Sequence, residues 1–297
     1  IIVDNTLKSL QLLGKYNRDK FSGQITALIG SNGKTIVKEW LYQLLHEDFS
    51  VFRSPKSYNS QLGVALSLNL LSDHYKRAFI ETGISQPGEM EVLEKMVQPE
   101  TVIFTSLGAA HQENFIDREQ KAREKLSMAK NAEFIIYPFD NEIIRKLISE
   151  DDTLKTKRVF SWSSGSDNAD LIVKEINRFD KSTEILVGIH GKKIKYRIPF
   201  IDEASLKNSL TCISFLELKC LLNENILKKF SILEPVEMRT EQKEGINNCI
   251  LINDSYNSDI VSLKIAVDLL KNMPQHKKKT LILSDIMQSG MNDEDLY

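Results

Sequence analysis

Apolar residues in the first half of the chain follow two rhythms. Ile25–Ile29 is an unbroken run that reads as a buried strand. Directly after it, positions 36, 37, 40, 41, 44 and 45 are apolar, a spacing that falls on one face of a helix. Short apolar runs recur at Arg77–Ile80, Thr101–Ser106 and Glu133–Tyr137, with a charged helical segment, Asp117–Asn131, before the last. Strands alternating with helices in this way predict an α/β fold: a doubly wound, mostly parallel sheet.

The rhythm changes between Val159 and Phe200. "STEILVGIHGKKIKYRIPF" has two β-rich arms around His-Gly-Lys-Lys, which predicts a hairpin and hence an antiparallel addition to the sheet. Ala204–Leu222 returns to a helical pattern, and Leu233–Arg239 reads as a linker. Beyond it, "NCILIND", a helix around Ser262–Lys271 and "TLILSD" predict the start of a second βαβ unit.

Between the first strand and helix stands "GSNGKT", Gly30–Thr35. It is shorter than the usual G-x-x-x-x-G-K-[ST] pattern, but the physics is the same. Glycines let successive backbone N–H groups face one anion, and the helix that follows presents its positive end. Lys34 can neutralise the outer phosphates of a nucleotide triphosphate, and the Thr35 hydroxyl can ligate Mg²⁺. Two other residues fall where strands end. Glu81 follows "RAFI", and His111 follows "TVIFTSLGAA". In doubly wound sheets ligands sit beyond the carboxyl ends of the strands, so both are expected on the rim that carries Lys34. Alone, Glu81 could be a helix cap and His111 a structural histidine. Beside a phosphate loop, a carboxylate and an imidazole suggest metal ligation.

Composition narrows this little. The 297 residues suggest about two domains, and 41% hydrophobic with 27% charged residues is ordinary for a globular protein. A net charge of −2 argues against a general nucleic-acid or membrane surface. No apolar stretch is long enough to span a bilayer. Cys212 and Cys220 lie eight apart in a helical pattern and read as buried free thiols; with Cys249 the cysteines are odd in number, without metal-ligand spacing, which fits a reducing cytoplasm. The chain does not begin with Met, and its last stretch has the look of mid-domain sequence. A piece of a longer protein is therefore expected.

Taken in order, "GSNGKT", "ETGISQPGEME", "AAHQENF", "EKLSMAK", "EMR" and "INDSYNSD" resemble the Mur ligase family along nearly the whole chain. The "QPGEME" and "DSYNSD" segments resemble the branch that adds D-Ala-D-Ala to UDP-N-acetylmuramoyl-tripeptide, and "TIVKEWLYQLL" is similar to forms fused to an alanine racemase. The resemblance implies a central ATP-binding domain over 1–232, part of a Rossmann-like C-terminal domain over 233–297, and no N-terminal UDP-binding domain. It implies an ATP- and Mg²⁺-dependent amide-forming ligase acting through an acyl phosphate. Gly30, Ser31, Asn32, Gly33, Lys34 and Thr35 would hold the phosphates. Glu81 and His111 would serve as metal ligands. Lys125, fourteen residues after His111, matches a lysine that the family carries as a carbamate, with Lys121 and Lys130 as its decoys. Asn208 would lie near the adenine, Arg239 and Asp254 would reach ATP from the C-terminal side, and Asn59 would face the peptide substrate. The sequence departs from the family at Ile29, Ser60, "PFDN", Ala204–Ser205 and Ser284, which bears on adenine and peptide recognition, not on phosphate chemistry. A sister Mur or folylpolyglutamate-type ligase with another amine, or a non-catalytic nucleotide-binding module, remain alternatives.

Overall fold

The structure is a computed structural model. It describes residues 2–108, 112–239, 241–256, 260–271, 273 and 278–286. Its centre is a nine-stranded sheet in the order β2-β3-β1-β4-β5-β6-β7-β8-β9. The first six strands in chain order are β1 (Gln24–Ile29), β2 (Val51–Arg53), β3 (Arg77–Glu81), β4 (Thr101–Phe104), β5 (Phe134–Pro138) and β6 (Arg158–Ser163). They pair in parallel. β7 (Leu171–Arg178) joins β6 in parallel through two residue pairs, and β8 (Thr183–Ile189) and β9 (Lys192–Ile198) add an antiparallel meander. The predicted hairpin is therefore present. Its turn is tight, with His190 and Gly191 both at positive φ (48° and 80°), as a two-residue type I′ loop requires.

Helices cover both faces. α1 (Thr6–Lys20), α3 (Gln61–Asn69), α4 (Glu89–Val97), α5 (Arg118–Leu126) and α6 (Glu142–Glu150) lie on one side, and α2 (Lys34–Leu45), α7 (Glu203–Leu218) and α8 (Glu224–Lys229) on the other. The pleat of β1 separates the two cores: Ala27 and Ile29 face the first helix set, Leu28 the second. Both faces are covered, so the central strands are apolar throughout rather than alternating. Among the described residues no helix is long and apolar enough to cross a membrane.

Two details differ from expectation. β10 (Glu241–Glu244) and β11 (Ile250–Asn253) form a separate antiparallel pair, followed by α9 (Ile260–Lys271), but "TLILSD" takes no strand conformation. Leu281 and Ile282 are exposed there; an apolar run becomes a strand only when a neighbour completes its hydrogen-bond ladder. Of the two cysteines expected to be buried, Cys212 is. Cys220 is exposed, because α7 ends at Leu218 and the chain turns with Cys220 at φ 53°.

Candidate active site

β1 lies between β3 and β4, so the chain reverses its winding at β1 and leaves a crevice at the carboxyl ends of these strands. Register places the chemistry there. Glu81 is level with Leu28, and Phe104 with Ile29, so Glu81, Gly30 and Thr105 emerge side by side. β4 stops at Phe104, two residues before the expected end, because Thr105 and Ser106 turn to brace the phosphate loop. The Ser31 N–H donates to Ser106 O at 2.8 Å. Ser106 Oγ is 2.9 Å from both the N–H and the carbonyl of Asn32, and Thr105 Oγ1 is 2.6 Å from Asn32 O.

Within the loop Gly30 and Gly33 adopt φ 134° and 86°. A Cβ on Gly30 would sit 2.3 Å from Thr105 Oγ1, and one on Gly33 would sit 2.5 Å from Asn208 Oδ1. The cradle therefore admits only glycine at these positions. Gly33 offers no side-chain cap to α2, whose first amides belong to a cleft of about 450 Å³. Lys34 Nζ folds back to donate to Gly30 O (2.8 Å) and Ser31 O (3.0 Å).

On the side of β3, Thr35 Oγ1 donates to Glu81 Oε2 at 2.9 Å. Its only proton is spent there, so Ser57 Oγ, 3.1 Å away, is the donor in their contact. Asn59 Nδ2 donates to Glu81 Oε1 at 2.8 Å, and the Glu81 N–H donates to Ser54 Oγ at 3.1 Å. Glu81 is 1% exposed, and the ammonium of Lys38 lies 3.6 Å from its Oε2.

From the other side α5 delivers Lys125, 4% exposed, with Nζ 3.3 Å from Gly30 O. Burial, then the nearby Lys34 and Lys121 ammonium groups, hold its pKa well below that of an ordinary lysine, which favours the neutral amine. Lys121, one turn earlier and also buried, donates to Gly108 O at 2.6 Å. Arg239 places Nη2 3.5 Å from Thr35 Oγ1 and its guanidinium 3.9 Å from the centre of the Tyr256 ring.

The structure thus brings Gly30–Thr35, Asn59, Glu81, Lys125 and Arg239 around one cleft. Asn208, on α7, abuts Gly33 from outside. Asp254 follows β11 but does not line the cleft, whereas its neighbour Tyr256 does. His111 lies outside the described residues. Lys38 is among the residues that sequence reasoning missed, with Ser54, Ser57, Thr105 and Ser106. It shares a helix face with Leu41 and Leu45 at i, i+3 and i+7, so a lysine among apolar neighbours was its signal.

The arrangement suits a polyphosphate with a hard divalent cation. The glycine cradle fits phosphate oxygens. A hydroxyl and a carboxylate 2.9 Å apart fit Mg²⁺, which commonly takes one or two carboxylates and completes its shell with phosphate and water. A buried amine whose pKa is depressed by burial and by two neighbouring lysines fits conversion to an anionic carbamate.

The profile of the Mur ligase middle domain matches residues 28–216. The chain belongs to the Mur ligase family. The UDP-N-acetylmuramoyl-tripeptide–D-alanyl-D-alanine ligase of Bacillus subtilis is 26% identical over 300 residues, covering all of this chain and 64% of that protein. The MurF structure from Acinetobacter baumannii shares the fold, with a TM-score of 0.87 at 24% identity over 98% of this chain and 63% of that one. The MurF ligase from Thermotoga maritima in complex with ADP shares it with a TM-score of 0.80 at 22% identity, over 92% and 63%. The chain therefore spans a little under two thirds of these Mur ligases' length.

Proposed function

We propose that this chain is the nucleotide-binding part of an ATP-dependent ligase that joins D-Ala-D-Ala to the peptide carboxylate of UDP-N-acetylmuramoyl-tripeptide, in peptidoglycan precursor synthesis. One observation carries the reading: the phosphate loop, Glu81, Asn59, Lys125 and Arg239 line a single cleft. The names of its relatives supply the substrates.

The reaction has a clear physical demand. A carboxylate is a poor electrophile, so its oxygen first accepts the γ-phosphoryl group of ATP with release of ADP. The amine then attacks the acyl carbon, and phosphate leaves with the carboxylate's former oxygen. Two anions must meet in the first step, so fixed cations have to lie between them. Lys34 would leave its own loop carbonyls for the outer phosphates. The loop amides and the start of α2 would hold the rest. Thr35, Glu81, Lys125 as its carbamate, and His111 would ligate Mg²⁺, which supplies charge neutralisation at the transferring group. Arg239 would add a cation from the segment after residue 232, with Asp254 near the nucleotide. Asn208 would contact the adenine edge, and Asn59 would orient Glu81 on the peptide side.

We place the division between an ATP-binding domain and a C-terminal one at residues 232–233. A cytoplasmic setting fits ATP, a UDP-linked substrate and three free thiols. A fused alanine racemase would put a source of D-alanine on the same polypeptide, and the mass of the native protein in cells tests that.

The decisive experiment measures phosphate release by the full-length protein with ATP, UDP-muramoyl-tripeptide and D-Ala-D-Ala. Release that needs all three is expected. Turnover only with another amine would make the protein a sister ligase, and absence of turnover with any amine would make it a binding module.

A further inference from the structure

Lys38 lies four residues beyond Lys34 on α2 and is 0% exposed. A buried ammonium is costly unless every proton is placed. Two of its protons go to backbone carbonyls of the segment after β2: Ser54 O at 2.9 Å, and Lys56 O. Its third side faces two carboxylates, Glu39 Oε1 at 3.3 Å and Glu81 Oε2 at 3.6 Å.

The gripped segment carries the partners of the cation site. Ser54 Oγ accepts from the Glu81 N–H, Ser57 Oγ touches Thr35 Oγ1, and Asn59 Nδ2 holds Glu81 Oε1. Lys56 itself sits at φ 47°, a left-handed conformation that a non-glycine residue adopts only when its surroundings enforce it. Lys38 supplies part of that enforcement by binding the Lys56 carbonyl. Outward, Glu39 pairs with Arg53 Nη1 at 2.7 Å, and the Arg53 guanidinium lies 3.7 Å from the centre of the Tyr42 ring. A chain of charges thus runs from the surface to Glu81, with Lys38 at its inner end.

We propose that Lys38 is the positioning residue of the divalent-cation site, holding the 54–59 segment so that Glu81 and Thr35 present their oxygens together. The inference rests on the ligase reading and deepens it. Lys38 does not line the cleft; it acts through Glu81 and through the backbone that aims Asn59 and Ser57. Outer-sphere partners of this kind are worth about 10- to 100-fold in metal affinity.

The test uses the full-length protein and two variants, Lys38→Met, which keeps the shape of the stem, and Lys38→Gln, which keeps a donor. Calorimetry measures ATP binding with and without Mg²⁺, Mn²⁺ binding is followed by electron paramagnetic resonance, and amide exchange is followed at 54–59 without ligand. Mn²⁺ affinity is expected to fall about tenfold or more in Lys38→Met and less in Lys38→Gln. ATP binding without metal should stay within about twofold, a split that a general loss of structure would not produce. Exchange at 54–59 should quicken while that of β5 is unchanged. If Lys38→Met does not fold, Lys38→Gln decides alone. Unchanged metal affinity and exchange, or equal loss with and without metal, would overturn the role of Lys38 and leave the ligase reading standing. A wild-type protein that binds no ATP under either condition would sink both.

Discussion

The two flanks of the phosphate loop are built from opposite arrangements of charge. On the Thr35 flank a carboxylate is enclosed by donors: Thr35 and Asn59 bond to Glu81, and the Lys38 ammonium stands 3.6 Å away. On the Lys34 flank three lysines approach one another, with Lys34 and Lys125 both directed at Gly30 O. The first flank is organised before any ligand arrives: the hydroxyl and carboxylate oxygens that would hold a cation already stand 2.9 Å apart. In the second, burial and then like charges press the Lys125 pKa down. That flank gains most when an anion arrives, whether phosphate or a carbamate on Lys125 itself.

Two variants separate the flanks most sharply. Lys34→Met removes charge from the phosphate side; turnover by the full-length protein should fall by roughly 10²–10³, and ATP binding should weaken with or without Mg²⁺. Glu81→Gln keeps the shape of the other flank but removes its negative charge. Its loss should appear as a higher Mg²⁺ requirement, with metal-free ATP binding nearly intact. Identical behaviour of the two variants would mean that the flanks are one functional unit. Next in size is Lys125→Ala, expected to lose about 10² in turnover and to recover in part with short carboxylic acids that replace a carbamate. The wild type should show the mass of an added CO₂ under native conditions, and Lys121→Ala should show no such rescue.

A smaller effect concerns stability. The folded state holds the Lys125 pKa well below its unfolded value of 10.5. Between the two values the unfolded chain binds a proton that the folded chain does not, so raising the pH through that window favours folding. Lys125→Met lacks this dependence. Its melting temperature in ligand-free, CO₂-depleted buffer should exceed that of the wild type most below the folded-state pKa, and the gap should narrow as the pH rises toward 10.5. A gap independent of pH would contradict the neutral, buried amine that the Lys34 flank requires.

What could be read beforehand follows from the same contrast. β1, the loop and α2 were legible because a buried run, two glycines and a helical period succeed one another within about twenty residues. The β8–β9 hairpin was legible from its two arms. β2 has three residues, too few for a period, and α3 is apolar on most sides, so neither announced itself. Glu81 stood out because it ends a strand. Lys125 had no mark of its own on a charged helix and was reached only through the resemblance, although the structure buries it. Lys38 was hidden by its charge: lysine is read as solvent-facing, and only the pairing with Glu39, Glu81 and two carbonyls makes its burial affordable. "TLILSD" had strand composition but no ladder partner among the described residues. Composition reports what a segment can bury, not what lies beside it.

The least disruptive measurement decides whether the flanks can be altered separately at all. Both grow from α2, which carries Thr35 and Lys38 as well as Lys34. Cys212 on α7 packs against that helix with Sγ 3.9 Å from Val37 O, and burial pushes its thiol pKa far above the usual range. Cys220 and Cys249 are exposed. A thiol reagent at pH 8 should therefore label two cysteines of this chain segment promptly and the third only on unfolding, with peptide mapping to identify them. Repeated on the Lys34, Lys38 and Glu81 variants, the pattern should not change. Fast labelling of Cys212 in a variant would mean that α2 had come away from α7, and the lost activity of that variant would then reflect packing rather than the charge removed.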